Sequence, residues 1–310
     1  QDPAAYSGEF SWMDEKEEFL YFHHQPNQLV KYDTEGNFCG KVKFSAPGLA
    51  SYYLITDSGF IGHFGGMNTA TQCVLGFFDR DGLLKDSIPA LISNHQVVPD
   101  DIAGISVLRG KTSYPLYGNW TASGAILIDY KNDTKQIIVP NAAKLWRNGE
   151  NIRFKPDFVD TLYTVSGNKL IPSIAFNTGK YHLSVEESMD KENSVGRIFI
   201  AEVSENRDFV FFQCIRGLNS KDPVLYNGLY DKRTGETKLA KNSDRIEDDL
   251  THFLPFTPLG ISTTGEFVSL VEMIDVTEWL EKHPEAADNE NLSFLQTLDE
   301  EMNPIVMLVE

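Results

Sequence analysis

One pattern constrains this chain more than any other. A short apolar strand runs into a polar turn, a second apolar strand follows, then a third, then another polar turn, and the unit recurs about six times along the chain. The first kind of turn is read at Asp14 to Glu18, Asp57 to Gly59, Asp100 to Gly104, Asn148 to Asn151, Ser204 to Asp208 and Thr263 to Glu266. Successive turns lie roughly 45 to 60 residues apart, the period of propeller blades built from four strands each. The spacing predicts an all-β, six-bladed β-propeller forming one closed domain over residues 1–310, although length alone would suggest two domains. Such a fold says nothing by itself about function, because propellers carry unrelated activities on their loops.

The first repeat is the clearest. Phe10 to Met13 and Phe19 to His23 read as strands, Gln25-Pro26-Asn27 as a turn, and Gln28 to Tyr32 as the third strand. Asp33-Thr34-Glu35-Gly36 is a turn ending on the residue that tolerates a left-handed backbone. Phe38, Gly40, Val42 and Phe44 then alternate with Cys39, Lys41 and Lys43, as expected of a strand with one wet face. The last repeat departs from the pattern, with an insertion of about residues 275–302 that reads helical. Asp275 and Glu278 have capping-box spacing, Pro284 stops the first helix, and Leu292, Leu295, Leu298 and Met302 mark a second apolar stripe. The last blade ends without an outer strand, so the missing one is expected from residues before Gly8 or from a segment upstream of Gln1.

The net charge of −18 disfavours nucleic acid and anionic membrane as partners, since both need basic patches. No apolar run approaches the roughly 18 residues a spanning helix needs. The chain starts at Gln1 rather than Met, which predicts a leader upstream, and membrane attachment only through an N-terminal lipid anchor outside this sequence. Cys39, Cys73 and Cys214 are too few and too scattered for a disulfide framework or a zinc template, and read as half-buried strand thiols.

Two stretches, "NIRFKPDFVDTLYTV" (Asn151 to Val165) with "LIPSIAFNTGKYHL" (Leu170 to Leu183), and the ending "FLQTLDEEMNPIVMLVE" (Phe294 to Glu310), resemble the six-bladed β-propeller family of the Bacteroidetes cell envelope. Members of that family look like lipoproteins or exported proteins without an established biochemical activity. The resemblance implies a periplasmic or outer-membrane-associated location and supplies no catalytic residues. Where many relatives have a glycine-rich stretch, this chain has "EDDLTHFLPFTP" (Glu247 to Pro258).

Searched for chemistry, the sequence offers no phosphate loop, no G-x-S-x-G elbow and no H-E-x-x-H. His23 and His24 are adjacent and point to opposite faces of a strand, and His63, His95, His182 and His252 are scattered. Asp79-Arg80-Asp81-Gly82 lacks the third ligand and distal Glu of a calcium loop and reads as a β-turn. No catalytic residue, metal or cofactor is therefore assigned. The loops between second and third strands are the richest in chemistry, offering among others Asp157 and Asp160 in the fourth repeat. From them we take Arg109, Tyr114, Trp120, Lys155, Arg216 and Lys221 as a tentative ligand-facing surface, a local positive funnel for an acidic or carboxylated ligand, partly covered by the insertion. The expected function is a non-catalytic binding or scaffold propeller of the cell envelope that recognises a carbohydrate, a peptide or an envelope protein. The alternative is an enzyme of lactonase or lyase type with metal or acid/base residues lining the channel.

Overall fold

The computed structural model describes residues 11–14, 19–25, 27–47, 50, 52–64, 73–89, 102–108, 125–131, 135–138, 145–188, 191–218, 220, 222–242, 246–262, 264–299 and 302–309. Its strands form antiparallel sheets of sequence-consecutive members. The first holds β1 (Ser11–Asp14), β2 (Phe19–Gln25), β3 (Gln28–Asp33) and β4 (Phe38–Lys43). The second holds β5 (Tyr52–Thr56), β6 (Gly59–His63), β7 (Cys73–Asp79) and β8 (Leu84–Pro89). A three-stranded third sheet holds β9 (Ile102–Leu108), β10 (Ala125–Tyr130) and β11 (Lys135–Ile138). The fourth holds β12 (Leu145–Asn148), β13 (Asn151–Phe154), β14 (Thr161–Ser166) and β15 (Lys169–Ala175). The fifth holds β16 (Ile198–Glu205), β17 (Phe209–Arg216), β18 (Val224–Asp231) and β19 (Glu236–Lys241). A three-stranded last sheet holds β20 (Gly260–Ile261), β21 (Phe267–Val271) and β22 (Ile305–Val309).

The recurring Asp–Gly turns have a common chemical cause. Asp33 Oδ1 accepts the backbone N–H groups of Glu35 and Asn37, and Gly36 takes the left-handed φ of 85° that completes the turn. Asp79 Oδ1 repeats this on Asp81 and Leu83, with Gly82 at φ 80°. Both carboxyls are held below their usual range, Asp33 chiefly by the Asn37 side chain and Asp79 chiefly by Lys85. The Asp79 segment is thus a β-turn whose carboxylate is occupied by its own backbone.

Packing between sheets corrects the blade count. First and second sheets meet through Tyr21, Leu29, Phe44, Tyr53, Phe60 and Phe78, with the Phe44 and Tyr53 rings stacked 3.9 Å apart. The second sheet then packs directly on the fourth. Leu54, Ile61, Leu75 and Ile88 share one core with Leu145, Phe154 and Val165. Arg147 donates to the Ile55 carbonyl at 2.8 Å, and Asn168 donates to Asp86 at 2.8 Å across the same junction. The third sheet is therefore not interposed between them. Fourth and fifth sheets join through Leu162, Ile200, Val203, Val210 and Phe212, and the fifth meets the last through Phe211, Phe256 and Phe267. The arrangement is an all-β, propeller-like series of five blades, not six. The strand pattern counts sheets correctly, but blade membership depends on which sheet faces fit together.

Two connections carry helix. Between β15 and β16 lie a 3-10 turn (Gly179–Tyr181), α1 (Val185–Ser188) and α2 (Lys191–Ser194). The sequence reading foresaw no helix there. Between β21 and β22 lie α3 (Met273–Lys282) and 3-10 turns at Pro284–Asp288 and Ser293–Thr297. Helix α3 starts earlier than the capping-box reading places it, with Glu272 at the cap and Asp275 inside the first turn. The Leu292 and Leu295 stripe is buried as expected, but on a 3-10 turn.

Candidate functional site

The two ends of the strand array differ in kind. One end carries the connections within hairpins, at residues 34–37, 57–58, 80–83, 149–150, 167–168, 206–208, 232–235 and 262–266. The other carries the connections at 155–160, 217–223 and 272–304, and those between successive sheets, including 176–197 and 242–259, as far as these are described. Antiparallel order places each set at one end.

On this long-loop end, the segment after β13 and the segment before β16 form a polar cluster. Asp160 Oδ2 faces His182 Nδ1 at 2.8 Å and accepts a hydrogen bond from the Thr178 hydroxyl. The Asp160 carbonyl accepts the Phe176 N–H at 2.9 Å, so the aspartate bonds at both its side chain and its backbone. His182 sits in an isolated parallel bridge with Ile198, and Leu183 N–H reaches the Ile198 carbonyl at 3.2 Å. Leu183 is buried among Phe199, Ala201, Ile215, Leu218 and Leu225. A carboxylate accepts, so the His182 Nδ1–H donates to Asp160 and Nε2 is the ring nitrogen left for another partner. The imidazole is 40% exposed, against 16% for the Asp160 side chain. The ring can therefore hydrogen-bond a molecule arriving at the surface through Nε2.

The surrounding connection is firmly tied. Ser184 and Glu187 form a reciprocal capping box on α1, with Ser184 N–H to Glu187 at 3.2 Å and Glu187 N–H to Ser184 Oγ at 3.1 Å. Arg197 then binds both Glu187 and the Lys180 carbonyl. Phe158, in the same loop as Asp160, holds φ at 55°, a rare conformation for a bulky side chain, and its ring packs on Phe199. Burial first, and the Asp160 charge second, push the Cys214 thiol up to about 12. Among the described residues no three His, Cys, Asp or Glu side chains converge as a metal site.

Of the six residues singled out from sequence, Arg109, Tyr114, Trp120 and Lys221 lie outside the described residues. Lys155 is buried, and its Nζ donates to the Pro156 carbonyl at 2.8 Å and the Ile200 carbonyl at 3.3 Å. Arg216 is exposed at the end of β17, opposite Ile198 and Val224. Both thus adjoin the first half of β16, the strand whose start neighbours His182. Sequence reasoning named Asp160 as a loop residue but left His182 unplaced. Nothing in the sequence links residues 22 positions apart.

The long-loop end is also acidic. Residues 272–304 contain ten Asp or Glu and one Lys, a net −9 of the chain's −18. No helix of the described residues is long and apolar enough to cross a membrane.

The family described as "Domain of unknown function (DUF4934)" matches residues 1–310. No curated protein matches the chain. Among solved structures, that of a "Putative exported protein" from Bacteroides fragilis superposes with a TM-score of 0.61 at 14% identity, covering 96% of this chain and 75% of that one. The likeness shows a shared fold. The BBS1N–ARL6DN complex and the tricorn protease align with TM-scores of 0.23 and 0.22, at 8% and 13% identity. The BBS1N match covers 72% of this chain and 76% of that one, the tricorn match 87% and 24%.

Proposed function

We propose that this chain, which belongs to the DUF4934 family, is a non-catalytic binding propeller of the bacterial envelope that recognises a carbohydrate, a peptide or a partner protein at its long-loop end. One observation carries the reading. Turns at one end are short, while the other end holds the long connections, the helices and the Asp160–His182 pair. Binding surfaces concentrate on loops held by a rigid scaffold. The tied connection 176–197 fits a preformed recognition surface, since ordering it on binding would cost affinity. Within this reading Arg216 supplies an exposed donor and His182 an exposed hydrogen-bonding ring, with Arg109, Tyr114, Trp120 and Lys221 taken as further contacts. Lys155 takes no ligand directly and instead holds the fourth sheet to the fifth. Support for an exported, periplasmic or outer-membrane-associated location comes from the name of the Bacteroides fragilis neighbour.

The test is a glycan and peptide array probed with the purified chain, followed by titration of any hit. Arg216→Ala and His182→Ala should weaken binding about tenfold or more, as for a lost polar contact worth about 1.4 kcal/mol. Arg233→Ala, at the short-turn end, should leave it unchanged. Loss confined to Arg233→Ala, or equal loss in all three, would overturn the reading. Osmotic-shock fractionation of the native host tests location, and recovery in the cytoplasmic fraction counts against it.

A further inference from the structure

The chain holds two Asn-Gly pairs, Asn148-Gly149 and Asn227-Gly228, and the fold sets them in opposite circumstances. An asparagine followed by glycine can lose its side-chain nitrogen as ammonia. The glycine backbone nitrogen attacks the asparagine Cγ, and no Cβ on the glycine obstructs the approach. The reaction needs a carboxamide free to turn and a backbone able to leave the extended conformation. Local structure therefore decides which of two identical pairs reacts.

Asn148 ends β12 opposite Asn151, and Gly149 with Glu150 forms the hairpin loop into β13. Gly149 takes a left-handed φ of 59°, as the first central residue of a tight two-residue loop does. The space around it is open, since an added Cβ would meet nothing within 4 Å. Its nitrogen lies outside the strand ladder, which ends at the Asn148–Asn151 pair. Asn148 is half-buried, and among the described residues its carboxamide makes no hydrogen bond. Asn227 is the reverse case, 7% exposed in the middle of β18. Its Oδ1 accepts from Gln213 Nε2 at 2.8 Å, and its Nδ2 donates to Asn242 at 3.0 Å. Gly228 is paired with Phe212 on one side and Leu239 on the other. Neither group of that pair can reach the other without breaking the sheet.

We infer that Asn148 is a site of spontaneous deamidation in the folded protein, and that the fold protects Asn227 from the same reaction. The Gly149 nitrogen bonds to Asn148 Cγ while the Cγ–Nδ2 bond breaks. The Gly149 amide proton leaves with Nδ2 as ammonia, and a cyclic imide remains. Water opens the imide at either carbonyl, giving aspartate or isoaspartate. Each product adds a negative charge two residues from Glu150. Isoaspartate also inserts a methylene into the main chain at the mouth of a two-residue loop, so the Asn148–Asn151 pair loses its register. Strand β12 carries Leu145, in the core shared by the second and fourth sheets, and Arg147, which donates to the Ile55 carbonyl. The modification therefore loosens the junction between those two blades.

Peptide mapping by mass spectrometry on the full chain, aged at mildly alkaline pH, tests this, with an isoaspartyl methyltransferase as the probe for isoaspartate. In the folded chain Asn148 should convert at least about tenfold faster than Asn227, because reaction inside a closed sheet waits on local opening. In denaturant the two should convert at similar rates. Amides of Leu145–Asn148 should exchange faster in the aged chain, while an aged Asn148→Gln variant should exchange as the fresh parent does. Equal rates in the folded chain, faster conversion at Asn227, or no conversion at Asn148 overturns the inference. So does a rate gap that persists in denaturant, which would assign the difference to flanking sequence rather than to the fold. Unchanged exchange of Leu145–Asn148 after ageing overturns the consequence for the blade junction.

Discussion

Glu205 is the most demanding buried charge in the described structure, and removing it gives a direct measure of how fourth and fifth blades are joined. Its side chain is 2% exposed at the end of β16. Arg153 Nε from β13 lies 2.7 Å from Oε2, and Lys232 Nζ lies 2.7 Å from Oε1. The Nε and Oε2 atoms are near enough to pair as ions but lack hydrogen-bond alignment, so charge carries that contact. Arg153 Nη2 adds a bond to Oε1 at 3.2 Å. Glu205→Ala strands two cations at the junction, and breaking a buried pair costs about 3–5 kcal/mol. Lys232 is a quarter exposed, and Arg153 keeps Thr164 and Ser173 as acceptors. The lower end, about 3 kcal/mol, therefore applies. With an unfolding entropy of about 2.1 cal/mol/K per residue, a chain of 310 residues loses about 5 °C in Tm. Differential scanning calorimetry at neutral pH reads this. Arg153→Met with Glu205→Leu removes both main charges and should lie within about 1–2 kcal/mol of the parent. A Glu205→Ala shift below about 1.5 °C, or a double variant worse than Glu205→Ala, refutes the reasoning.

The thiols give a second test. Cys39 is exposed, while Cys73 and Cys214 are buried and burial raises both their pKa values. At pH 8 a thiol reagent should label one cysteine of the native chain and three after denaturation, and rapid native labelling of Cys214 would contradict its placement. Gly228 gives a third. A Cβ there would sit 2.2 Å from the Phe212 ring, so Gly228→Ala should destabilise by about 1–3 kcal/mol, and Phe212→Leu should recover part of the loss. An unchanged denaturant midpoint for Gly228→Ala would show that the two strands pack otherwise.

The difference between what could and could not be read from sequence is one of range. Strands and hairpin turns depend on neighbours two to four residues apart. The Asp33 carboxylate meets Asn37, and Asp79 meets Leu83. Such turns were legible, and so was the alternation of Cys39, Lys41 and Lys43 with Gly40 and Val42 on β4, although Phe38, read as covered, is exposed. The short helices of 176–197 escaped because four-residue helices show no period, although Ser184-x-x-Glu187 was a readable capping signal. Blade order lay beyond local pattern. The Leu145, Phe154 and Val165 face fits that of Leu54, Ile61 and Leu75 across about ninety residues of chain, and no alternation in either stretch encodes that choice. The candidate site divides in the same way. A lysine in a loop reads as a solvent-facing cation, yet the Lys155 ammonium reaches the Ile200 carbonyl 45 residues on, across the blade junction. His182 looked like one of several scattered histidines until the turn at Thr178 brought it onto Asp160. Local grammar supplied the strands and their hairpin turns. The packing of one blade on the next decides which charged groups bridge blades and which stay at the surface, and residues such as Lys155 and Glu205 are assigned only once that packing is known.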